Sequence, residues 1–257
     1  MSALRPVVVL FLVAACGKAD PCFEPRDVSY QGECVVLEQG WRISKGALPD
    51  FGSYCSAPCI DVDAGIGIEG YDDLSDAPLL PKFRRVLSLN LDAHALRDLR
   101  GLETVEVERL SLFGTGADDA FESMAGLNVR SMAALTFSSV SGREFLSGSM
   151  LEHVASATID GTGLVSADLS ALTFRSLAVR GNRELTALTL PDNAMEALTI
   201  SDNPKLTELT WDAGIRVKNL RIVSNTSLSS CLLDEFVRSA KPDGGYRTDV
   251  FLNGPCP

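Results

Sequence analysis

The sequence is poor in histidine, and this scarcity narrows the chemistry it could perform. Its 257 residues include two histidines, His94 and His153, with no metal-ligand partners at motif spacing. No H-E-x-x-H, G-x-S-x-G or phosphate-binding P-loop motif occurs. The stretch DVDAG at 61–65 lacks the later acidic positions of a calcium loop, so it indicates an acidic turn. We therefore expect no catalytic constellation, no metal and no cofactor.

Basic residues are also scarce. Lysine and arginine total 23 against 34 aspartate and glutamate residues, which gives a formal net charge of −11. Nucleic-acid phosphates need neutralising by lysine and arginine, and anionic membranes attract polybasic segments. The composition therefore argues against a nucleic-acid partner and against a basic membrane-binding patch.

Long apolar runs are absent beyond the first 15 residues. In residues 1–15, MSALRPVVVLFLVAA, an apolar run follows Arg5 and is too short to span a bilayer as a helix. This arrangement is typical of a secretory signal peptide. An ordinary signal peptide cut after Ala15, with Cys16 as a normal thiol, is one interpretation.

The residues around the cleavage point favour a second interpretation. Val13-Ala14-Ala15-Cys16-Gly17 resembles the lipobox of bacterial lipoproteins. The resemblance implies that Cys16 becomes the N-terminus, carries the lipid and anchors the exported chain to a bacterial membrane. Glycine rather than aspartate at position 17 favours the outer membrane.

The number of cysteines agrees with lipidation. There are seven: Cys16, Cys22, Cys34, Cys55, Cys59, Cys231 and Cys256. With Cys16 acylated, six remain, which is enough for three disulfides in an oxidising compartment. Three pairings are possible among the four cysteines at 20–59, and proximity along the chain favours Cys22–Cys34 and Cys55–Cys59. In an exported chain, the C-x3-C spacing of CSAPC indicates disulfides rather than a metal or redox site.

An apolar-x-apolar triplet recurs along the chain in steps of 20 to 25 residues. Its copies begin at residues 66, 87, 110, 135, 157, 177, 198 and 220, with a looser copy at 250. Each has the period of a short strand, and stacked copies bury one continuous core. A second apolar cluster in the later repeats predicts a second strand; it comprises Leu185, Leu188, Leu190, Leu206, Leu209 and Trp211.

Asparagine follows the last three regular triplets at a fixed distance, at Asn182, Asn203 and Asn225. A corner must lie there between two strands, and asparagine tolerates the left-handed conformation that corners often need. Its amide also bonds neighbouring backbone, so stacked asparagines would form a structural ladder. A row of ligand-binding asparagines is the alternative. Earlier repeats carry other residues in this slot: Asp92, Thr115, Val140 and Thr162.

The pattern L-x-I-x-x-N-x-x-L-x-x-L-x-L resembles the receptor L domain, a cousin of leucine-rich repeats, over residues 60–257. The resemblance implies a C-terminal cap in which Cys231 pairs with Cys256 beside a helix. That helix would carry Leu232, Leu233, Phe236 and Val237 on one side.

These patterns together predict a mainly β protein. We expect a parallel β-solenoid of about eight or nine coils, with a disulfide-tied N-terminal extension and a C-terminal helix cap. Residues 1–15 form the signal peptide, residues 16–59 the lipidated, cysteine-rich extension or cap, and residues 60–257 the solenoid.

The outward strand positions offer the remaining functional surface. They are mostly small and polar, and Phe113, Arg180 and Arg221 are the candidate ligand contacts. The sequence predicts a lipid-anchored, non-catalytic binding or scaffolding module of the envelope, whose partners are the membrane and a protein or glycan ligand. One alternative is a polysaccharide-acting solenoid enzyme, which requires three or more carboxylates at matching positions on successive coils. Another is a passive structural spacer.

Overall fold

Short parallel strands account for most of the regular structure. The computed structural model describes residues 34–46, 54, 57–115, 121–141, 149–240 and 248–256. The strands are β1 Val35–Leu37, β2 Trp41–Ser44, β3 Ile60–Glu69, β4 Phe83–Asp92, β5 Glu106–Phe113, β6 Ser131–Ser138, β7 His153–Asp160, β8 Ser166–Asp168, β9 Thr173–Arg180, β10 Ala187–Thr189, β11 Ala194–Ser201, β12 Glu208–Thr210, β13 Arg216–Val223 and β14 Thr248–Phe251. Helix α1 spans Ser230–Ala240, and two short 3-10 helices span Leu74–Asp76 and Leu80–Lys82.

The strands assemble into two parallel sheets that run along the stack of coils. The large sheet has the order β1-β3-β4-β5-β6-β7-β9-β11-β13-β14, with β2 also paired to β3. The small sheet contains β8, β10 and β12. Each coil thus adds one strand to the large sheet, and three coils add a second strand. The predicted fold class is confirmed, with a parallel β-solenoid of about eight turns and one C-terminal helix.

The core is a set of apolar rows, each contributed by equivalent positions of successive coils. Leu177, Leu198 and Leu220 pair in register and are buried, as are the valine and isoleucines two positions later. The predicted second strands are also present. Leu188 and Leu209 lie in β10 and β12 and face the same core. Because each side chain contacts its counterpart one coil away, burial requires stacking.

Two of the predicted triplets were displaced by two residues. In β4 the buried residues paired with Ile66 and Ile68 are Leu89 and Leu91, whereas Leu87 is only half-buried. The segment LSLNL contains three alternating leucines, so the pattern fitted two registers, and irregular pairing between β3 and β4 decides between them. Likewise, β14 pairs through Thr248–Val250 rather than through the triplet beginning at Val250.

The asparagine ladder is present and buried. The Oδ1 atom of Asn203 accepts hydrogen bonds from the backbone N and the Nδ2 of Asn182, both at 3.0 Å. The Nδ2 of Asn203 donates to the Val179 carbonyl and to Asn225 Oδ1, both at 3.1 Å. Thr162 begins the ladder by donating its backbone N and Oγ1 to Asn182 Oδ1 at 2.8 and 2.7 Å. All three predicted asparagines have no exposed surface.

The ladder has a fourth asparagine that the triplet alignment missed. Asn253 Oδ1 accepts from the backbone N of Asn225 at 3.1 Å and from its Nδ2 at 3.3 Å. Its own Nδ2 donates to the Ile222 carbonyl at 3.1 Å. The displaced register of β14 placed the corner slot beyond this residue. In β4 the predicted triplet begins two residues too early instead, so it places Asp92 in the slot that His94 occupies.

The left-handed residue of each corner is not the asparagine that the sequence predicts. Positive φ angles occur one position before the ladder residue, at Gly161, Gly181, Asp202, Ser224 and Leu252. The ladder asparagines are not among the residues with positive φ. Asparagine is therefore needed at the corner for its amide, which bonds two neighbouring coils, and not for tolerance of a strained backbone.

The large sheet begins upstream of residue 60, where the repeat first becomes recognisable. Strand β1 pairs with the first part of β3, and β2 pairs with its last part, both in parallel. Leu37 and Ile43 are buried in the same core. Residues 34–44 therefore already form a coil, although they carry no clear triplet.

Two disulfides lie among the described residues. Cys34 pairs with Cys59, with the Cα atoms 4.8 Å apart, so the expected pairs Cys22–Cys34 and Cys55–Cys59 are wrong. Both partners stand at the starts of adjacent strands, since Val35 pairs with Ile60. Cys231 and Cys256 pair as the family resemblance implied, with the Cα atoms 5.2 Å apart. Cys16, Cys22 and Cys55 lie outside the described residues.

Helix α1 covers the C-terminal part of the core as predicted. Leu233 and Phe236 are buried, and Leu232 and Val237 pack partly buried against the core. The Phe236 ring meets Trp211 edge-on, with centroids 5.0 Å apart. Because α1 carries Cys231, the disulfide holds the helix to the last described segment.

We predict that Asn203→Ala destabilises the protein by about 3 kcal/mol, because it leaves several buried polar groups unpaired. Thr199 is half-exposed and lies on the same coil, so Thr199→Ala should change the free energy of unfolding by no more than about 0.5 kcal/mol. Denaturant unfolding of the disulfide-intact protein measures both. Equal effects would contradict a stabilising ladder.

The corrected register of β4 predicts a contrast between two leucines. Leu91→Ala should cost about 3 kcal/mol, because Leu91 is fully buried, whereas Leu87→Ala should cost about 1 kcal/mol. The same unfolding measurement ranks them. A larger loss of stability for Leu87→Ala than for Leu91→Ala would contradict the pairing in the structure and support the triplet predicted from the sequence.

Non-reducing peptide mapping should recover one peptide pair joined through Cys34–Cys59 and another joined through Cys231–Cys256. The reason is that both pairs bring equivalent parts of adjacent coils within disulfide distance. Recovery of a Cys22–Cys34 peptide from the native protein would contradict the pairing described here.

Candidate functional site

The outward face of the large sheet carries two columns of side chains. In the corrected register the first is Gly67, Asn90, Ser111, Thr136, Thr158, Ala178, Thr199, Arg221 and Asp249. The second, two positions further on, includes Glu69, Asp92, Phe113, Ser138, Asp160, Arg180, Ser201, Val223 and Phe251. Most of these side chains are half-buried or exposed.

The three candidate ligand contacts lie in separate environments on this face. The Phe113 side chain is 47% exposed. Arg180 pairs with Asp160 on the adjacent strand, Nε to Oδ2, at 3.1 Å. Phe113 and Arg180 stand three strands apart, or roughly 14 Å at the usual strand spacing.

Arg221 lies in the other column, near the C-terminal end of the sheet. It pairs with Asp249 at 3.5 Å, and its guanidinium lies 5.9 Å from the centre of the Phe251 ring. The structure therefore does not bring Phe113, Arg180 and Arg221 together into one site.

A cleft surrounds Phe113 at the N-terminal end of the face. We name it the glycine cleft; it has a volume of about 570 Å3 and includes Arg42, Gly65, Gly67, Glu69, Asn90, Asp92 and Phe113. Arg42 is held by an ion pair with Glu69, at 3.1 Å. Ser44 also donates to Glu69, at 3.3 Å, so the carboxylate has two partners on the adjacent strand β2. The cleft thus combines an exposed aromatic ring with polar side chains.

A second, larger depression crosses the starts of strands β5 to β11. We name it the alanine groove; its volume is about 770 Å3, and Ser131, Ala133, Ala155 and Ala194 form its shallow middle. At one end Arg175 donates to Glu196 at 3.0 Å, and this hydrogen bond lowers the pKa of the Glu196 carboxyl. The positive charge of Arg175 and the negative charge of Glu196 therefore neutralise each other at that end of the groove.

The two histidines stand in different coils and in different surroundings. His153 lies in the alanine groove, with Nδ1 2.6 Å from Thr173 Oγ1. His94 Nδ1 lies 3.5 Å from Thr115 Oγ1. Within the described ranges, no group of three or more histidine, cysteine, aspartate or glutamate residues is placed to hold a metal ion.

The stretch predicted as an acidic turn is part of strand β3, so that prediction is wrong. Asp61 pairs with Arg84, and Asp63 pairs with Arg85 Nη2 at 2.5 Å. Both arginines belong to the next coil, so the aspartates serve as ion-pair partners between coils.

The corrected register changes the distribution of carboxylates on the sheet face. Aligned on the triplets predicted from the sequence, the outward positions of the strands include Asp160 as their one carboxylate. In the structure, Glu69 and Asp92 follow the paired residues Ile68 and Leu91 and so occupy equivalent positions on adjacent strands. The next strand has Phe113 at that position. Along the described part of these columns, no three successive coils carry carboxylates at equivalent positions.

The described residues contain no helix long and apolar enough to cross a membrane. The residues predicted to form a signal peptide and a lipobox, 1–17, lie outside them. Comparison of the chain with protein-family models, with curated proteins and with solved structures finds no match. A functional hypothesis therefore depends on the residues and geometry of this chain.

Proposed function

We propose that the protein is an exported, lipid-anchored envelope protein whose solenoid binds or scaffolds a partner without catalysis. The anchor would be the lipid on Cys16, and the membrane would be the outer membrane. Support for export comes from the two disulfides, because disulfides persist in oxidising compartments outside the cytoplasm.

The observation that carries the binding role is the sheet face itself. It extends across successive parallel strands, and its backbone is held by in-register pairing beneath the outward side chains. Every described buried side-chain nitrogen or oxygen has a hydrogen-bond partner. A rigid surface of this kind lowers the entropy lost when a ligand binds.

The alternatives to this proposal are an enzyme and a passive spacer. An enzyme would need groups placed to transfer protons or to attack a substrate, and Glu69 and Asp92 are the adjacent carboxylates on which such a role would centre. A passive spacer would bind nothing, and substitutions on its sheet face would leave every partner unaffected. The exposed Phe113 ring lies in a cleft together with several polar side chains, a combination typical of ligand sites, and this favours binding over both.

The lipid anchor is tested by Cys16→Ser. We expect the protein with its natural sequence to partition with the detergent phase. Its mature N-terminal peptide should begin at Cys16 and carry the mass of the acyl chains. Cys16→Ser should abolish both results, because serine offers no thiol. Cys55→Ser removes a cysteine outside the lipobox and should leave both unchanged. A free Cys16 thiol in the mature protein would refute the anchor.

A further inference from the structure

Two glycines lie in the interior of strand β3. Gly65 follows the irregular pairing between β3 and β4, whereas Gly67 lies in regularly paired strand. A Cβ atom on Gly67 would come no closer than 3.9 Å to any neighbour, and one on Gly65 no closer than 3.8 Å. Both are ordinary contacts, and neither glycine has a positive φ. By contrast, a Cβ on Gly163 would lie 2.8 Å from the Ser141 carbonyl oxygen.

Gly67 carries a cost in stability that its regular strand geometry does not explain. A glycine inside a strand destabilises it by about 0.5–1 kcal/mol relative to alanine. On the following strands, the positions equivalent to Gly67 hold side chains, beginning with Asn90 and Ser111. Glycine inside a strand often marks a bulge, or a place where a ligand or another backbone approaches closely, and no bulge lies at Gly67. Because Gly65 and Gly67 lack side chains, their backbone forms the floor of the glycine cleft.

The rim of the cleft shows what chemistry it can accept. Phe113 presents an exposed apolar ring, and Asn90 supplies an amide that both donates and accepts hydrogen bonds. Glu69 and Asp92 add two carboxylates, while the single arginine, Arg42, is already paired with Glu69. This excess of negative charge disfavours phosphorylated, sulfated or carboxylated ligands.

An extended peptide fits this cleft poorly. Peptides that add to a sheet bond with an unpaired strand edge. The cleft floor lies on β3 and β4, which are paired on both sides. A ligand there must be recognised by its own ring face and polar groups.

We propose that the glycine cleft binds a neutral or amine-bearing sugar residue of a glycan. The sugar's C–H face would lie against Phe113, and its hydroxyl or amino groups would bond Asn90, Asp92 and Glu69. The volume of about 570 Å3 falls in the range of small-molecule sites. This inference rests on the proposed binding role and gives it a ligand class.

The test uses the mature chain with matched valine substitutions. Gly67→Val fills the cleft floor, whereas Ala178→Val adds bulk in the same outward column five strands away. Each purified variant is first checked by thermal unfolding. Binding is then measured on an array of neutral, amino and acidic oligosaccharides, followed by calorimetry with the best array ligand.

We expect the unmodified protein to bind neutral or amino oligosaccharides, with affinity reduced about tenfold or more by Gly67→Val and less than about twofold by Ala178→Val. If Gly67→Val unfolds, Phe113→Ala replaces it, because that ring is exposed and its removal should spare the fold. It should also weaken binding about tenfold.

Three outcomes would overturn the inference: no binding to any sugar, binding to acidic glycans alone, or equal losses with both valine variants. If the protein binds no sugar but can be crosslinked to a protein through the sheet face, the glycan inference fails while the binding role stands. Loss of detergent partitioning in Cys16→Ser reports on the anchor alone, so the two proposals fail separately.

Discussion

Stacking of coils in register is the constraint on which this structure depends. A single coil cannot bury its own apolar face, so every leucine row, strand pairing and corner contact requires the neighbouring coil. The asparagine ladder makes this dependence strongest, because Asn203 bonds both Asn182 and Asn225 away from water. An amide in that position is satisfied only when both neighbours stand at the correct height. Register is therefore enforced by polar groups as well as by apolar packing.

The same stacking leaves the outward face free to vary. Its charged side chains pair mainly with partners about one coil away, as Arg180 does with Asp160 and Arg175 does with Glu196. Exposed pairs of this kind contribute little stability, so substitutions there are tolerated. A face that folding does not constrain can acquire a cleft, and Gly65 and Gly67 lie where the loss of side chains creates one. The solenoid scaffold and its outward face are thus largely independent.

Much of the fold could be read from the sequence because the repeat recurs in each coil. The triplets predicted the core strands, and the spacing of Asn182, Asn203 and Asn225 predicted the ladder. The errors arose where two readings of the same letters were equally good, as with the three alternating leucines of β4. The sequence did not predict the Cys34–Cys59 bond, because the pairing expected there joins the cysteines that are nearest in sequence. In a solenoid, residues one coil apart are neighbours, and both disulfides span 25 residues. The glycine cleft could not be predicted from the sequence, because it depends on the pairing register that brings residues of β2, β3, β4 and β5 together.

Hydrogen exchange of the ladder amides tests the stacking constraint most directly. The backbone N–H groups of Asn182, Asn203 and Asn225 bond the side-chain oxygen of the next coil rather than a strand partner. If the ladder holds the coils in register, these amides should exchange as slowly as the core strand amides of β9, β11 and β13. Exchange as fast as that of exposed turn amides at residues 183–184 would contradict a ladder that stabilises the native stack.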